Sequence, residues 1–238
     1  MALIEVRGAG KLYRTNGFAT HALHPTDLTV GAGEFACVAG PSGSGKTTLL
    51  NLVGVLDEPT VGEIRIAGIA TRGLSRGRAA AFRRENLGFV FQAYNLVPVL
   101  SAWENVEYLL LLQGVAAVER RRRVAEVLER VGLAPSAHKR PGALSGGEQQ
   151  RVAVARAVVA APPIVLADEP TSNLDSAAAA SLLDLLEGLN REQGITFLFS
   201  SHDPRVIGRA RRIITLQDGR VAEDRVQATG STDRGGIG

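Results

Sequence analysis

The apolar positions of the chain alternate between strand and helix patterns. Residues 1–7 place apolar and polar side chains in turn, which predicts a strand, and residues 34–39 form a short apolar run that ends at Gly40. A glycine-rich turn follows, and residues 47–56 have the pattern of a helix. Further strands are predicted at residues 28–38 (around a turn at 31–33), 63–67, 87–91, 164–167, 195–200 and 212–216, and further helices at 74–86, 147–160 and 176–193. This alternation of strands and helices predicts an α/β core.

The middle of the chain is predicted to be helical. Residues 101–104 have the Ser-x-x-Glu spacing of a capping box, and an apolar run follows them. Residues 116–131 place apolar side chains at helical spacing. We expect residues 1–226 to form one domain, with a helical subdomain at about 93–160, and the Gly-, Ser- and Thr-rich residues 227–238 to form a flexible tail.

Composition and charge narrow the class of protein. The 238 residues are 45% hydrophobic and 21% charged, which is ordinary for a globular protein. The formal net charge of +3 is too small to require a nucleic acid partner, and we expect none. A single cysteine, Cys37, excludes an internal disulfide and is typical of a reducing compartment. The first residues lack the pattern of a signal peptide, and no apolar stretch is long enough to span a bilayer, so work at a membrane would need a membrane-spanning partner.

One motif predicts a phosphate-binding loop between a strand and a helix. The pattern G-x-x-x-x-G-K-[S/T] is matched by Gly40, Pro41, Ser42, Gly43, Ser44, Gly45, Lys46 and Thr47. Backbone N–H groups of such a loop, together with the N-terminus of the helix, bind phosphate oxygens. We expect Lys46 to reach the β- and γ-phosphates of a nucleotide and the Thr47 hydroxyl to hold Mg²⁺.

A second motif places two carboxylates at the end of a buried strand. The apolar residues 164–167 are followed by Asp168 and Glu169. In a parallel sheet this end lies beside the phosphate loop, so Asp168 is predicted to bind Mg²⁺ and Glu169 to activate a water for attack on the γ-phosphate. By itself, an apolar strand before Asp-Glu is also typical of an ordinary polar turn. The two motifs together indicate a nucleotide hydrolase, a class that includes GTPases, kinases and helicases.

A third motif allows two interpretations. Residues 144–151 read Leu-Ser-Gly-Gly-Glu-Gln-Gln-Arg, in which Ser145 and Glu148 have capping-box spacing. The motif could therefore be no more than a well-capped helix start. Gly146 and Gly147 also make it a second glycine-rich helix N-terminus, which is a second potential anion site.

Together these segments resemble the nucleotide-binding subunit of ABC transporters. The family's signature sequence is matched by residues 144–151, and the resemblance runs from about Leu3 to Glu223. It implies a P-loop NTPase core of the ABC ATPase type, with an N-terminal antiparallel β subdomain and a helical subdomain that bears the signature. It also implies ATP as the nucleotide, Mg²⁺ as the metal and ATP hydrolysis as the activity, and it adds Thr48, beside Thr47, to the nucleotide site.

The resemblance implies roles for single positions. Tyr13 matches the aromatic residue that stacks on adenine, although a tyrosine in the core or at a sheet edge would look the same in the sequence. Gln92 matches the glutamine that contacts Mg²⁺ and the attacking water. Asp175 ends the loop 172–175, which matches the loop that communicates between two subunits, and His202 matches the histidine that contacts the γ-phosphate.

The resemblance also implies a homodimer. Two copies pack head to tail, and each ATP lies between Lys46 of one copy and Ser145 of the other. Physical reasoning agrees, because one chain carries two phosphate-binding helix ends far apart in sequence, and a two-fold interface would bring them together in pairs. ATP would then join the two copies, and hydrolysis would release them.

Within the family, four segments are most similar to the ATPases of lipoprotein release, macrolide and peptide export, haem export and a cell-division complex. They are residues 56–64, 91–106, 146–157 and 168–176. The similarity implies an integral membrane permease, commonly with four membrane helices and a large extracytoplasmic domain. It implies a peripheral position at the cytoplasmic face of the inner membrane, with membrane contact only through the permease. An importer ATPase is the alternative, and a soluble ABC ATPase acting on nucleic acid or ribosomes is a third hypothesis.

Few residues follow Glu223, so we expect no C-terminal regulatory domain of the kind found in many sugar and methionine importers. Residues 94–100 are apolar but have no strict period, which indicates either a contact surface for a permease helix or ordinary core packing. Residues 120–123 are all arginine and indicate a solvated helix face, with attraction to anionic lipid as the alternative.

Overall fold

Within residues 2–15 and 18–227, which are the residues described by this computed structural model, the strands form two sheets. In chain order the strands are β1 (Ala2–Thr15), β2 (Phe18–Gly31), β3 (Phe35–Ala39), β4 (Val61–Ile66), β5 (Ile69–Ala70), β6 (Leu87–Val90), β7 (Ile164–Asp168), β8 (Thr196–Ser201), β9 (Arg212–Gln217) and β10 (Arg220–Val226). The helices are α1 (Lys46–Val53), α2 (Arg76–Asn86), α3 (Ala102–Leu112), α4 (Ala117–Arg130), α5 (Gly146–Val158), α6 (Ser176–Gln193) and α7 (Pro204–Arg209), with short 3₁₀ turns at Ala134–Ser136 and Pro141–Ala143.

The larger sheet brings distant segments of the chain to one edge. Its six strands lie in the order β10-β9-β3-β8-β7-β6, and only β10 is antiparallel to its described neighbour. Every residue of β3 and β8 is buried, as expected for parallel strands covered on both faces. Because β3, β7 and β8 are parallel, their carboxyl ends lie together, with Ala39 paired with Ser201 and Asp168 paired with Ser200.

The two faces of β3 belong to two different cores. Phe35 and Cys37 pack with apolar residues of α3, α4, α5 and α6. Ala36 and Val38 face the other way and pack with α1 and the smaller sheet. This alternation follows from the two-residue period of a strand. Burial raises the pKa of the Cys37 thiol to about 12, so this cysteine is a core side chain and not a reactive one.

The smaller sheet is antiparallel, in the order β2-β1-β4-β5, and packs through its apolar face on α1. The α/β core with an antiparallel N-terminal sheet is the fold class that the sequence predicts. The β1–β2 hairpin is much longer than predicted, because the pattern indicates strand only at residues 1–7 and 28–38. Several register shifts between β1 and β2 interrupt the alternation of apolar and polar positions and hide the rest of the hairpin.

The predicted helical block is present as α3, α4 and α5. The predicted capping box begins α3: Glu104 N donates to Ser101 Oγ at 3.2 Å, and Ser101 N donates to Glu104 Oε2 at 2.7 Å. These bonds satisfy backbone groups that the first turn of a helix leaves unpaired.

The arginine run of α4 is largely paired within the helical block. Arg122 and Arg123 both donate to Glu119, at 2.8 Å and 2.6 Å. Arg120 donates to Glu107 of α3 at 3.0 Å. Since neighbouring carboxylates neutralise these charges, the geometry favours the solvated face over a lipid-binding patch.

The end of the described chain is anchored. Gln227 N donates to Arg211 O at 2.8 Å, and Gln227 Nε2 donates to Ile207 O at 2.8 Å and to Ala210 O at 2.9 Å. Gln227 is the first residue of the predicted flexible tail, and the rest of that tail, residues 228–238, lies outside the described residues, so the tail stays a prediction. None of the helices within 2–15 and 18–227 combines the length and the apolar character that crossing a membrane requires.

Candidate active site

The glycine-rich loop lies between β3 and α1, at the carboxyl edge of the larger sheet. Gly40, Gly43 and Gly45 have φ angles of 150°, 81° and 103°, a region that other residues rarely adopt. A Cβ atom at Gly40 would lie 2.2 Å from Leu216 O, and one at Gly45 would lie 2.5 Å from Ala22 O. Gly45 also caps α1 without a side chain, so the first N–H groups of the helix have no capping side chain and are available to an anion.

Gly45→Ala tests how closely the loop is packed. We expect it to lower the free energy of unfolding by about 2–4 kcal/mol, because the new methyl group adds left-handed backbone strain to a clash with the carbonyl of Ala22. The matched control is Gly68→Ala, where φ is +78° and a Cβ would meet nothing within 4 Å. Strain alone predicts a loss of about 1 kcal/mol there. Chemical denaturation measures both values, and equal losses would contradict close packing at Gly45.

Two polar side chains of the loop, those of Lys46 and Ser44, are buried. Lys46 is 7% exposed, and its Nζ donates to Gly40 O at 2.8 Å and to Pro41 O at 2.9 Å. Ser44 Oγ is buried and has no hydrogen-bond partner among the described residues. An unpaired buried hydroxyl is costly, but Ser44 is not among the residues that line the cavity beside the loop. The loop therefore presents a buried cation, Lys46, and a helix N-terminus to a ligand.

Thr47 and Asp168 form a pair of oxygen donors beside the loop. Thr47 Oγ1, in the first turn of α1, lies 3.3 Å from each carboxylate oxygen of Asp168 at the end of β7. Hydroxyl and carboxylate oxygens are ligands that Mg²⁺ uses together with phosphate oxygens and water. No group of three or more His, Cys, Asp or Glu side chains suited to a metal occurs in the described part of the chain. The pair fits a metal whose remaining ligands come from a bound nucleotide.

Glu169 is held in place by the end of β8. Its φ angle of 46° is unusual for a glutamate, and its N–H donates to Ser200 O at 2.8 Å. Its carboxylate accepts a hydrogen bond from Ser201 Oγ at 3.0 Å, and its Oε1 lies 2.7 Å from His202 Nδ1. The Glu169 side chain is 14% exposed and that of His202 is 68% exposed, so the pair lies at the surface of the sheet edge. The carboxylate is thus directed by the last residue of β8, Ser201, and by His202, which follows that strand.

A cavity of about 360 Å³ joins these elements. Its lining residues are Ala22, Ser42, Gly43, Gly45, Lys46, Thr47, Thr48, Gln92, Glu169 and His202. All but Ala22 are predicted site residues. The structure therefore brings the phosphate loop and the candidate base, Glu169, to one cavity with Gln92 and His202, which come from separate segments. This cavity is open to a ligand.

Tyr13 does not line this cavity. It is 39% exposed on β1, and its hydroxyl donates to Asp57 Oδ2 at 2.8 Å, while Lys11 Nζ lies 5.0 Å from the centre of its ring. Burial, followed by the hydrogen bond to Asp57, raises the pKa of Tyr13. This position suits an exposed surface tyrosine as well as an adenine contact, so the stacking role stays a prediction.

The N-terminus of α5 also lies outside the cavity. Glu148 N donates to Ser145 Oγ at 3.2 Å, and Ser145 N donates to Glu148 Oε2 at 2.9 Å. This N–H of Ser145 lowers the pKa of Glu148. Gly146 and Gly147 form the first residues of the helix. The predicted capping box is therefore present, and this helix end is not part of the cavity lining.

The loop after Glu169 connects the site to its surroundings. Asp175 caps α6, since its Oδ1 accepts a hydrogen bond from Ala178 N at 2.8 Å. Asn173 Nδ2 donates to Gln92 O at 2.8 Å. The loop therefore holds the backbone of Gln92, which lines the cavity, and it directly follows the candidate base, Glu169.

Three residues that line the site or hold its side chains were not predicted: Ala22, Asn173 and Ser201. Ala22 acts through its backbone, so its side chain leaves no signal in the sequence. Ser201 stands directly before His202 at a strand end, and the expectation that parallel strands end at one edge could have identified it as a neighbour of Glu169. Asn173 lies within the segment that the family resemblance selected, without a role of its own.

Known proteins similar to this chain fall in one family. A family profile described as ABC transporter matches residues 23–172. The lipoprotein-releasing system ATP-binding protein LolD of Anaeromyxobacter dehalogenans is 49% identical over 222 residues, which cover 93% of each chain. The macrolide export ATP-binding/permease protein MacB 1/2 of Paracoccus denitrificans is 45% identical over 233 residues, which cover 98% of this chain but 35% of that protein.

Solved structures agree with these similarities. The dimeric ATP-binding cassette MJ0796, in a post-hydrolysis state with ADP and Pi bound, has a TM-score of 0.88 at 42% identity, covering 94% of this chain and 98% of that chain. The protein cbiO1 of Clostridium perfringens, part of the ABC transporter complex cbiONQ, has a TM-score of 0.84 at 27% identity, covering 94% of this chain and 88% of that chain.

Proposed function

This chain belongs to the ABC transporter family, and on that premise we propose that it is the ATP-hydrolysing subunit of an export-type or mechanotransmission transporter, in which a permease does the work at the membrane. One observation carries the proposal: a single cavity contains the phosphate loop around Lys46 together with Glu169 and His202. Similarity to LolD and to MacB, whose names refer to lipoprotein release and macrolide export, supports the export class.

Binding depends on the loop. Lys46 turns from the two loop carbonyls to the β- and γ-phosphate oxygens. The first N–H groups of α1 point at the same oxygens and add the positive end of the helix dipole. Tyr13, whose ring is fixed by Asp57, is proposed to contact the adenine.

Hydrolysis depends on Glu169. As water attacks the γ-phosphorus, the bond to the β–γ bridging oxygen breaks and ADP leaves with that oxygen. The Glu169 carboxylate accepts the proton of the attacking water, while Ser201 and His202 keep the carboxylate directed at the cavity. His202, the more exposed of the pair, is proposed to donate to a γ-phosphate oxygen, and Gln92 to orient the water.

Mg²⁺ is proposed as the metal, held by Thr47 and Asp168 with Gln92 nearby in the cavity lining. When bound, the ion would neutralise charge that develops on the phosphate oxygens.

Two copies are proposed to form the active unit. The N-terminus of α5, with Ser145, Gly146, Gly147 and Glu148, lies outside the cavity of its own chain and is proposed to bind the nucleotide of the partner copy. The loop that ends at Asp175 would lie near the same interface. The similar cassette MJ0796, solved as a dimer with ADP and Pi, supports this arrangement.

The permease is proposed to contact residues 94–100. Leu96 packs partly on the core, whereas Val97 and Val99 are 40% and 69% exposed. Asn105 fixes this segment, since its Oδ1 accepts from Val97 N at 2.8 Å. An exposed but ordered apolar segment next to Gln92 would transmit movement from the nucleotide to a partner helix. We propose a peripheral position at the cytoplasmic face of the inner membrane, with membrane contact only through the permease.

The proposal is tested by affinity purification of tagged Glu169→Gln chain, with ATP, from its native membranes, followed by mass spectrometry. We expect a permease with four membrane helices and a large extracytoplasmic domain. A many-helix permease accompanied by a solute-binding protein would instead make the chain an importer subunit. Recovery of only ribosomal or DNA-bound proteins would contradict the transporter assignment and leave the ATPase chemistry in place.

A further inference from the structure

Arg156 of α5 is a partly buried cation whose hydrogen-bond partners are backbone carbonyls. Its Nη1 donates to Asn95 O at 2.5 Å, and its Nη2 donates to Tyr94 O at 2.9 Å. Burial lowers the pKa of this guanidinium, and no carboxylate among the described residues offsets the burial. A charge is costly to bury without a counter-ion, and an apolar side chain would fill the same volume without that cost. The guanidinium therefore has a role at these two carbonyls beyond packing.

The segment that Arg156 holds has an unusual backbone. Tyr94 and Asn95 have φ angles of 60° and 50°, so two successive non-glycine residues are left-handed. Such residues persist only when their surroundings hold them, and they concentrate at functional sites. The two carbonyls of this bend are the ones that receive the Arg156 hydrogen bonds, and the planar fork of arginine suits a pair of acceptors.

This segment begins at Gln92, which lines the nucleotide cavity. Asn173 holds its first carbonyl, and Arg156 holds the carbonyls at positions 94 and 95. Tyr94 also packs over the start of α5, since a Cβ at Gly146 would lie 3.1 Å from the Tyr94 hydroxyl oxygen. Helix α5 therefore contacts the segment twice, at its N-terminus and about three turns further along.

We propose that Arg156 is a positioning residue that, by fixing Tyr94 and Asn95 to α5, sets the place of Gln92 in the nucleotide cavity. ATP hydrolysis then depends on Arg156 although its guanidinium touches neither the nucleotide nor the attacking water. This inference rests on the proposed ATPase function. Arg156 is not among the residues to which that proposal assigns a role.

The test compares Arg156→Met and Arg156→Lys with a matched control, Arg120→Met. Arg120 also lies in the helical block, is 19% exposed and donates to a backbone carbonyl, that of Val115, at 2.8 Å, but it is bound to α3 and not to the Gln92 segment. For Arg156→Met we expect kcat to fall about tenfold or more, since small misplacements at a reacting centre have large effects, with ATP affinity within about twofold of the parent. Arg156→Lys should lie between, because an ammonium lacks the fork, and Arg120→Met should keep the parental kcat.

Hydrogen exchange provides a readout that does not depend on hydrolysis. In the nucleotide-free protein, peptides covering residues 91–97 should exchange faster in Arg156→Met than in the parent, and at the parental rate in Arg120→Met. Parental exchange, or parental kcat at parental ATP affinity, would overturn the proposal. The proposal would also be overturned if Arg156→Met and Arg120→Met lost kcat equally and in proportion to their loss of thermal stability. Arg156 would then have only a structural role.

Failure of the proposed function is recognised separately. If the parent chain hydrolyses no ATP, the ATPase assignment fails, and the exchange rates still decide whether Arg156 holds the segment. If Arg156→Met does not fold, Arg156→Lys provides the same comparison with a smaller expected effect.

Discussion

Glu169→Gln is expected to slow ATP hydrolysis by about 10²–10⁴-fold, the range over which a general base contributes, while ATP affinity stays close to that of the parent. The amide has nearly the same shape as the carboxylate and can still accept the hydrogen bond of Ser201, but it cannot take the proton of the attacking water. Phosphate release at saturating ATP measures the first effect, and equilibrium binding measures the second.

The same variant should accumulate as an ATP-bound dimer, because the two copies no longer separate through hydrolysis. Size-exclusion chromatography with and without ATP detects this change in mass. Glu223→Gln is the control, since Glu223 lies on β10 with its side chain 56% exposed, and it should hydrolyse ATP at the parental rate. Near-parental hydrolysis by Glu169→Gln would remove Glu169 from the role of base.

Lys46→Ala is expected to weaken ATP affinity by about 10- to 100-fold, because a hydrogen bond to a charged group contributes about 1.5–3 kcal/mol. The ammonium is the buried cation of the loop, and it also joins Gly40 O and Pro41 O, so its removal takes away both a phosphate contact and a brace of the loop. Titration calorimetry with ATP gives the affinity directly.

The control for this variant is Lys139→Ala. Lys139 is exposed, and its hydrogen bonds in the structure are made by its backbone, to Ser136 O and from Ala102 N. ATP affinity should not change in the control, and thermal unfolding should show that both variants are folded. Unchanged affinity in Lys46→Ala would contradict the assignment of the loop as the phosphate site.

Local signals in the sequence account for much of the fold. For α6 the predicted and observed bounds, 176–193, coincide, since its helical pattern is preceded by the capping residue Asp175. The capping box at Ser101 is likewise present. Such features depend on residues within a turn or two of each other, so the sequence contains what is needed to recognise them.

The sequence pattern did not predict some strands and helices that are stabilised by distant parts of the chain. Most of β10 is exposed, so it has no buried face to create a pattern, and it is held by pairing with β9. The six-residue helix α7 is too short for a period to emerge. In β2, register shifts against β1 break the alternation. In each case the stabilising contact comes from another part of the chain.

The sequence by itself determined the chemistry of the candidate site: a phosphate loop with Lys46 and Thr47, and two carboxylates at a strand end. Only the tertiary structure decided which groups meet. The register of β7 against β8 brings Ser201 and His202 to Glu169, and β2 passes so close to the loop that Gly45 has no room for a methyl group. These contacts join residues far apart in sequence, and they are set by strand pairing and packing, which no local pattern records.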